Sequence, residues 1–256
     1  MSDLITFEQP LNERMRTFMR VEELYARCVH YIELESHWDS HIAISTLIEL
    51  YALVTRGDLK RELLKEINRQ QAVLTHLASL PDIDQPKLTS IINYQASLVI
   101  ELDHIDGPIF ANLKEHDFIN TIKQRMAIPG GTCDFDLPSY HFWLSHDHTL
   151  RKKKLEAWLA PFNVIQKAVQ SCLDLVREST SYSDCIAESG FYQLTLDPHQ
   201  PNQIIRVNIN ENYHCFPEIS AGKHRISICF LTHNNPDETP KQLDKDIKFQ
   251  FSCCNF

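Results

Sequence analysis

The spacing of apolar residues changes at Ser179, and that change limits what the chain can fold into. From Leu11 to Ser179 apolar side chains recur every three or four residues, the period of a helix with one buried face. Leu11, Met15, Phe18, Leu24 and Cys28 mark a first helix. A second is expected over about Ile42 to Thr55, ending near Gly57. Asp58 is a natural N-cap for a third, in which Leu59, Leu63, Ile67, Leu74 and Leu77 form a stripe that stops at Pro81. Pro86 suits the first turn of a fourth. Gly107-Pro108 separates it from a fifth, about Lys114 to Met126. Beyond Ser179 the runs GFYQLTL, QIIRVNIN, HRISICFLTH and DIKFQFSCC alternate instead. Ile226, Ile228 and Phe230 face one way, as do Ile247, Phe249 and Phe251. Pro and Asn turns separate these runs, which predicts an antiparallel meander with one buried face. Segregated helices and strands make the fold class α+β. The expected division is a helical domain over 10–180 and a smaller β-domain over 181–256. A short strand over 3–9 is available to join that sheet and bring the chain ends together.

With 256 residues, the chain is long enough for one large domain or two small ones. It has no run of 18 apolar residues and no secretory leader, so no membrane span and a cytoplasmic location are expected. Its formal net charge of −9 argues against non-specific nucleic-acid binding. Eight scattered cysteines without a C-x-x-C pair point to free thiols, not disulfides or zinc.

The most distinctive local stretch is RMAIPGGTCDFDLPSYHFWL, Arg125 to Leu144. Pro129 and Pro138 bracket it and Gly130-Gly131 is the only Gly pair in the chain. Glycine supplies positive φ without steric cost, so the stretch reads as an ordered, packed elbow between helices.

Few residue patterns carry chemistry. His37 and His41 share a helical face at i,i+4, but no glutamate or third ligand accompanies them, so a surface pair is the plainer reading. Cys133 with His141, Asp134 and Asp136 could form a nucleophile pair, although Gly-Gly-Thr-Cys is explained by a turn. Gly222-Lys223 fails the phosphate-loop pattern, since Pro217 and His224 stand where Gly and Ser or Thr are needed. No cofactor or metal is expected. Basic pairs remain on acidic ground: Arg16 and Arg20, Lys123 and Arg125, Lys223 and Arg225. They read either as solvated faces or as three parts of one anion-accepting pocket. Arg151 to Lys154, at a helix start where the macrodipole disfavours cations, reads as a solvated face.

Five segments together resemble the ZapD family of bacterial division proteins. They are FEQPLNERMRTFMRVEEL (7–24), RGDLKRELLKEINRQQ (56–71), QRMAIPGGTCDFDLPSYHFWL (124–144), GFYQ (190–193) and FPEISAGKHRISICF (216–230). The resemblance runs from about Phe7 to Cys254. It implies a non-enzymatic homodimer with a helical and a β-domain. Such a protein binds the C-terminal tail of FtsZ, cross-links protofilaments at mid-cell and needs no cofactor. It also implies a basic pocket, matched here by Arg16, Arg20, Lys123, Arg125, His141, Lys223 and Arg225. Similar proteins tend to carry a further arginine where Cys229 stands. The alternative reading is a small-molecule or metal-dependent enzyme using Cys133 and His141.

Overall fold

Capping side chains decide where the helices start. Asn12 Oδ1 accepts from the Met15 N–H at 2.9 Å and opens α1 (Glu13–Glu33). Ser36 and Asp39 cap each other's backbone in a capping box that opens α2 (His37–Arg56). This box starts α2 five residues before the expected Ile42. Asp58, as expected, caps α3 (Leu59–Leu77), and Asp84 caps α4 (Gln85–Asp103), which carries Pro86 in its first turn. There follow α5 (Asp117–Met126), α6 (Pro138–Leu144), α7 (His148–Leu159) and α8 (Asn163–Glu178). The computed structural model describes residues 4–79, 84–104, 116–197, 200–222, 224–232 and 237–256. The expected stops at Pro81 and Gly107-Pro108, and the helix start at Lys114, lie outside them. Among the described residues no helix is long and apolar enough to cross a membrane.

Two compact units result. One is Thr17–Cys172; the other joins Met1–Arg16 to Leu173–Phe256. In the helical unit, Phe18 and Cys28 of α1, Ile44, Leu47 and Leu50 of α2, Leu63 and Ile67 of α3 and Leu98 and Leu102 of α4 are fully buried. The apolar periodicity therefore marks the core correctly. It does not show that Glu66, Gln70 and Gln95 are buried among these side chains. Arg69 donates twice to Glu66, at 2.6 and 3.1 Å, and the Gln70 amide links Glu66 to the Cys172 carbonyl, both at 3.1 Å. Gln95 donates to Gln70 at 2.8 Å. A buried carboxylate is tolerable because this chain of charged and neutral donors surrounds it.

Among the described residues the second unit contains eight strands: β1 (Leu4–Pro10), β2 (Ser183–Ala187), β3 (Phe191–Thr195), β4 (Asn202–Asn210), β5 (Phe216–Ala221), β6 (Arg225–Thr232), β7 (Lys241–Gln242) and β8 (Ile247–Asn255). The expected single meander is not what they form. There are two antiparallel sheets, ordered β1-β4-β8-β2 and β3-β6-β5, with β7 beside β6. The sheets share one core. Ile205, Val207 and Ile209 of β4 and Ile247, Phe249 and Phe251 of β8 meet Ile226, Ile228 and Phe230 of β6. The rings of Phe230 and Phe249 lie 5.0 Å apart across it. Two alternating faces that each need cover are better served by a sandwich than by one half-exposed sheet. Pro217 sits on β5, at the edge of its sheet, where a missing N–H breaks no ladder.

The N-terminal strand does join the sheet. β1 pairs along its whole length with β4, from Leu4 opposite Asn210 to Pro10 opposite Ile204. Glu8 stands opposite Arg206 in that register. Its carboxylate holds Arg206 at 2.9 Å and Arg177 at 2.7 Å, with all three side chains mostly buried. Both arginines are thereby committed to the fold.

Candidate functional site

The elbow is a chain of tight turns closed by backbone hydrogen bonds. The N–H groups of Ile128, Gly131, Cys133 and Asp136 donate to the carbonyls of Arg125, Ile128, Gly130 and Cys133, at 2.9 to 3.1 Å. The two glycines have different duties. Gly130 has φ +72°, the left-handed region. Gly131 is buried, and a Cβ there would lie 2.4 Å from the Arg125 carbonyl oxygen. Gly131→Ala is expected to cost about 2–3 kcal/mol, because backbone must move. Gly130→Ala should cost about 1–2 kcal/mol, from backbone strain alone, since the new methyl meets only the Cys133 sulfur, at an ordinary 3.9 Å. Urea melts of the two variants check this order; equal stability for Gly131→Ala and the parent would sink it.

The elbow is ordered but not packed throughout. Leu137 and Tyr140 anchor it in the core, whereas Ile128, Cys133 and Phe135 face solvent, Phe135 at 79% exposure. Tyr140 donates its hydroxyl to, or shares it with, His41 Nδ1 at 2.9 Å. Burial pushes the Tyr140 phenol far above its ordinary range and draws the His41 pKa down. His41 is therefore a half-buried neutral partner of the elbow rather than a free surface histidine. His37 instead lies against the Trp38 ring, at 4.7 Å between centroids. No hydrogen bond joins Cys133 to His141 among the described residues, and there no three His, Cys, Asp or Glu side chains gather as a metal site.

In the helical unit the basic residues take defined places. Lys123 and Arg125 end α5, where cations complement the helix dipole. The Lys123 ammonium lies 5.6 Å from the centre of the Tyr51 ring on α2. The Cys28 thiol on α1 meets the Ala43 carbonyl on α2 at 3.6 Å, and a short turn joins these helices. Arg125 reaches across the elbow to Asp136 at 3.7 Å. His141 is exposed on α6, beside the Tyr140 that bonds His41. His41 and Tyr51 are ten residues apart on α2, about 15 Å, so His141 sits toward the other end of the elbow.

In the strand unit, Arg16 near the start of α1 pairs with Glu13 at 3.3 Å, both largely exposed. Arg225 opens β6 on an open concavity of about 620 Å3, which Gln193, Thr195, Ser220, His224 and Ser227 also line. Lys223 lies outside the described residues. Periodicity shows neither this hollow nor its polar lining, because β3 must join the consecutive strands β5 and β6 to build it. Farther along β6, Cys229 stands opposite Glu218 and donates to the Gln242 side chain at 3.3 Å. Burial and the Glu218 charge push this thiol up, so it is neutral at neutral pH.

Arg151 departs most from expectation. It is no part of a solvated face: only 4% of it is exposed. Its guanidinium donates to the carbonyls of Glu35, Ser36 and His146 and to the Ser40 hydroxyl, at 2.6 to 3.2 Å. Lys153 and Lys154 do face solvent.

Residues 19–229 match the family model described as ZapD, cell division protein. The chain belongs to the ZapD family. It is similar along its whole length to proteins named cell division protein ZapD. The one from Methylococcus capsulatus is 37% identical over 254 residues, covering 99% of each chain. That from Chromobacterium violaceum is 34% identical over 253 residues, covering 99% of this chain and all of the relative. That from Ralstonia pickettii is 36% identical over 254 residues, with the same coverage. The family model spans Arg20, Lys123, Arg125, His141 and Arg225. Arg16 precedes its matched range, yet lies within the stretch aligned to the ZapD relatives.

Proposed function

We propose that the chain binds the C-terminal tail of FtsZ and, as a homodimer, cross-links FtsZ protofilaments at the division site in the cytoplasm. The carrying observation is similarity over 99% of the chain to proteins named for cell division. The proposed contacts are Arg16, Arg20, Lys123, Arg125, His141, Lys223 and Arg225. An arginine fork can grip a carboxylate with two parallel hydrogen bonds, and lysine adds a point charge. A flexible tail loses conformational entropy on binding, so a few strong anchors must carry the affinity. This is a scaffold's chemistry and calls for no catalytic group.

Co-sedimentation tests the reading directly. Polymerised FtsZ is expected to carry the protein into the pellet as bundles. FtsZ lacking its C-terminal tail is expected to leave it in the supernatant. Pelleting that is indifferent to the tail would refute tail recognition.

A further inference from the structure

We infer that the outer face of the β3-β6-β5 sheet takes the last residues of the FtsZ tail, with the terminal carboxylate on Arg225. The inference rests on the tail-binding reading above. It adds which group of the tail this face holds and which way the tail runs. Side chains that point away from the sandwich core stand in rows across the three strands. Thr195 and Arg225 are opposite each other at the end of the β3–β6 ladder. Gln193, Ser227 and Ser220 form the next row, and Phe191, Cys229 and Glu218 the one after. The alternate residues of β6, Ile226, Ile228 and Phe230, go to the core.

The first two rows floor the hollow of about 620 Å3. Arg225, Thr195, Gln193 and Ser220 are exposed, and Ser227 is half-buried. Among the described residues none of these five side chains has a hydrogen-bonding or ionic partner. The outer face of the other sheet is different. There Thr6, Asn208, Gln250 and Asp184 bond one another from strand to strand, at 2.8 to 3.4 Å. In the hollow, uncommitted donors surround one arginine, and no carboxylate stands among the described residues that line it. Such a set matches a carboxylate, whose two oxygens accept about four hydrogen bonds. The guanidinium fork takes two of them, and the hydroxyls supply the others.

The rows beyond the arginine select a chain end over an acidic side chain. Arg225 sits in the last row of the ladder, so a tail that ends there leaves in one direction, along β6 towards Cys229. Gln193 and the two serines can both donate and accept, which suits the N–H and C=O groups of a peptide passing over them. Charge then fixes the direction. Glu218 lies opposite Cys229, four residues along β6 from Arg225, about 13 Å. On the other side of Cys229 stands Phe191, 43% exposed. A lysine or arginine three or four residues before the end of an extended tail reaches this row. Its methylene stem lies on Phe191 and its cation beside Glu218. The opposite direction would set the terminal carboxylate against Glu218, and a lone acidic side chain would leave the row unfilled.

Co-sedimentation of the full chain with three forms of FtsZ tests the inference: natural, lacking its tail, and extended past its natural end by a short Gly-Ser segment. The extension keeps every side chain of the tail and moves only the carboxylate. Each form must itself pellet. The concentration of this protein needed for half-saturation is expected to rise at least tenfold on extended FtsZ. Arg225→Gln should bind natural FtsZ at least tenfold more weakly and no longer separate it from the extended form. Glu218→Gln should bind natural FtsZ about threefold more weakly. Lys248→Gln, an exposed site on the other sheet, removes one positive charge and should match the parent within twofold. Equal binding of natural and extended FtsZ, with none of the tail-less form, overturns the inference and leaves tail recognition standing. So does an Arg225→Gln variant that still separates natural from extended FtsZ, a Glu218→Gln variant equal to the parent, or a Lys248→Gln variant as weak as Arg225→Gln. Equal binding of all three forms overturns tail recognition as well.

Discussion

Arg16→Glu combined with Arg20→Glu is expected to abolish FtsZ bundling while the melting temperature stays within about 2 °C of the parent. The two residues are four apart on α1 and share a face. Arg20 is exposed with no ion-pair partner among the described residues, and Arg16 holds only the exposed Glu13. A surface pair of that kind contributes about 0–1 kcal/mol, so its loss barely alters stability. An acid at position 16 would repel Glu13, again by tenths of a kcal/mol, partly offset by the helix dipole. Binding is another matter. Each charge-assisted hydrogen bond to a tail carboxylate is worth about 1.5–3 kcal/mol, so losing two exceeds about 3 kcal/mol, more than a hundredfold in affinity. Reversal also repels an acidic tail during encounter and slows association. Binding by the parent should weaken as salt approaches physiological strength, where exposed charges are screened beyond about 8 Å. The control must change net charge equally at exposed sites elsewhere; Arg61→Glu with Lys167→Glu does so. If that control impairs pelleting with FtsZ as much as the Arg16/Arg20 pair, overall charge and not a defined site is responsible. Arg151 cannot serve as a control, because the fold depends on it.

Arg151→Met is expected to destabilise the protein by about 3–5 kcal/mol, the range for breaking a buried charged network by removing one partner. Three backbone carbonyls and the Ser40 hydroxyl lose a donor together. Some can recruit water at the surface turns, which keeps the cost below the sum of four bonds. For a chain of this size the melting temperature should fall by roughly 10 °C. Arg151→Lys should recover less than half, since one ammonium cannot span four acceptors set by a planar fork. Differential scanning calorimetry on both variants decides it. A Met variant melting within 2 °C of the parent would mean the network is dispensable.

Local pattern reveals what local physics decides. The stripe of Leu59, Leu63, Ile67 and Leu74 is buried, and so are both alternating triplets, Ile226-Ile228-Phe230 and Ile247-Phe249-Phe251. The Asp58 cap and the Gly-Gly elbow were equally readable, because capping and positive φ are properties of a few adjacent residues. Failures came where distant segments decide. SDCIA and FPEISA are too short and mixed to announce β2 and β5; each is a strand only because β8 or β6 offers it a ladder. Arg151 opens a run of four cations, and nothing within the run separates the one that finds carbonyls on another turn from Lys152, which pairs with Glu33, or from the two that stay wet. The site divides likewise. The basic pairs are visible as sequence neighbours. That Lys123 lies over the Tyr51 ring depends on how α5 packs beside α2. The exposed Trp38 and Phe142 escape periodicity altogether, since an apolar side chain in a helical pattern is expected to be buried.

Pairing β1 with β4 has a consequence for how the molecule is made. Once synthesised, β1 lacks its hydrogen-bonding neighbour β4 until some two hundred more residues have left the ribosome. Residues 17–172 form an uninterrupted segment and can collapse meanwhile from mostly local helical pairings. The sandwich is then completed late, from the two ends of the chain, across a gap whose closure entropy the finished helical unit has already reduced. A bulky fusion at the amino terminus should therefore hinder assembly of the carboxy-terminal sheet more than that of the helices beside it in sequence.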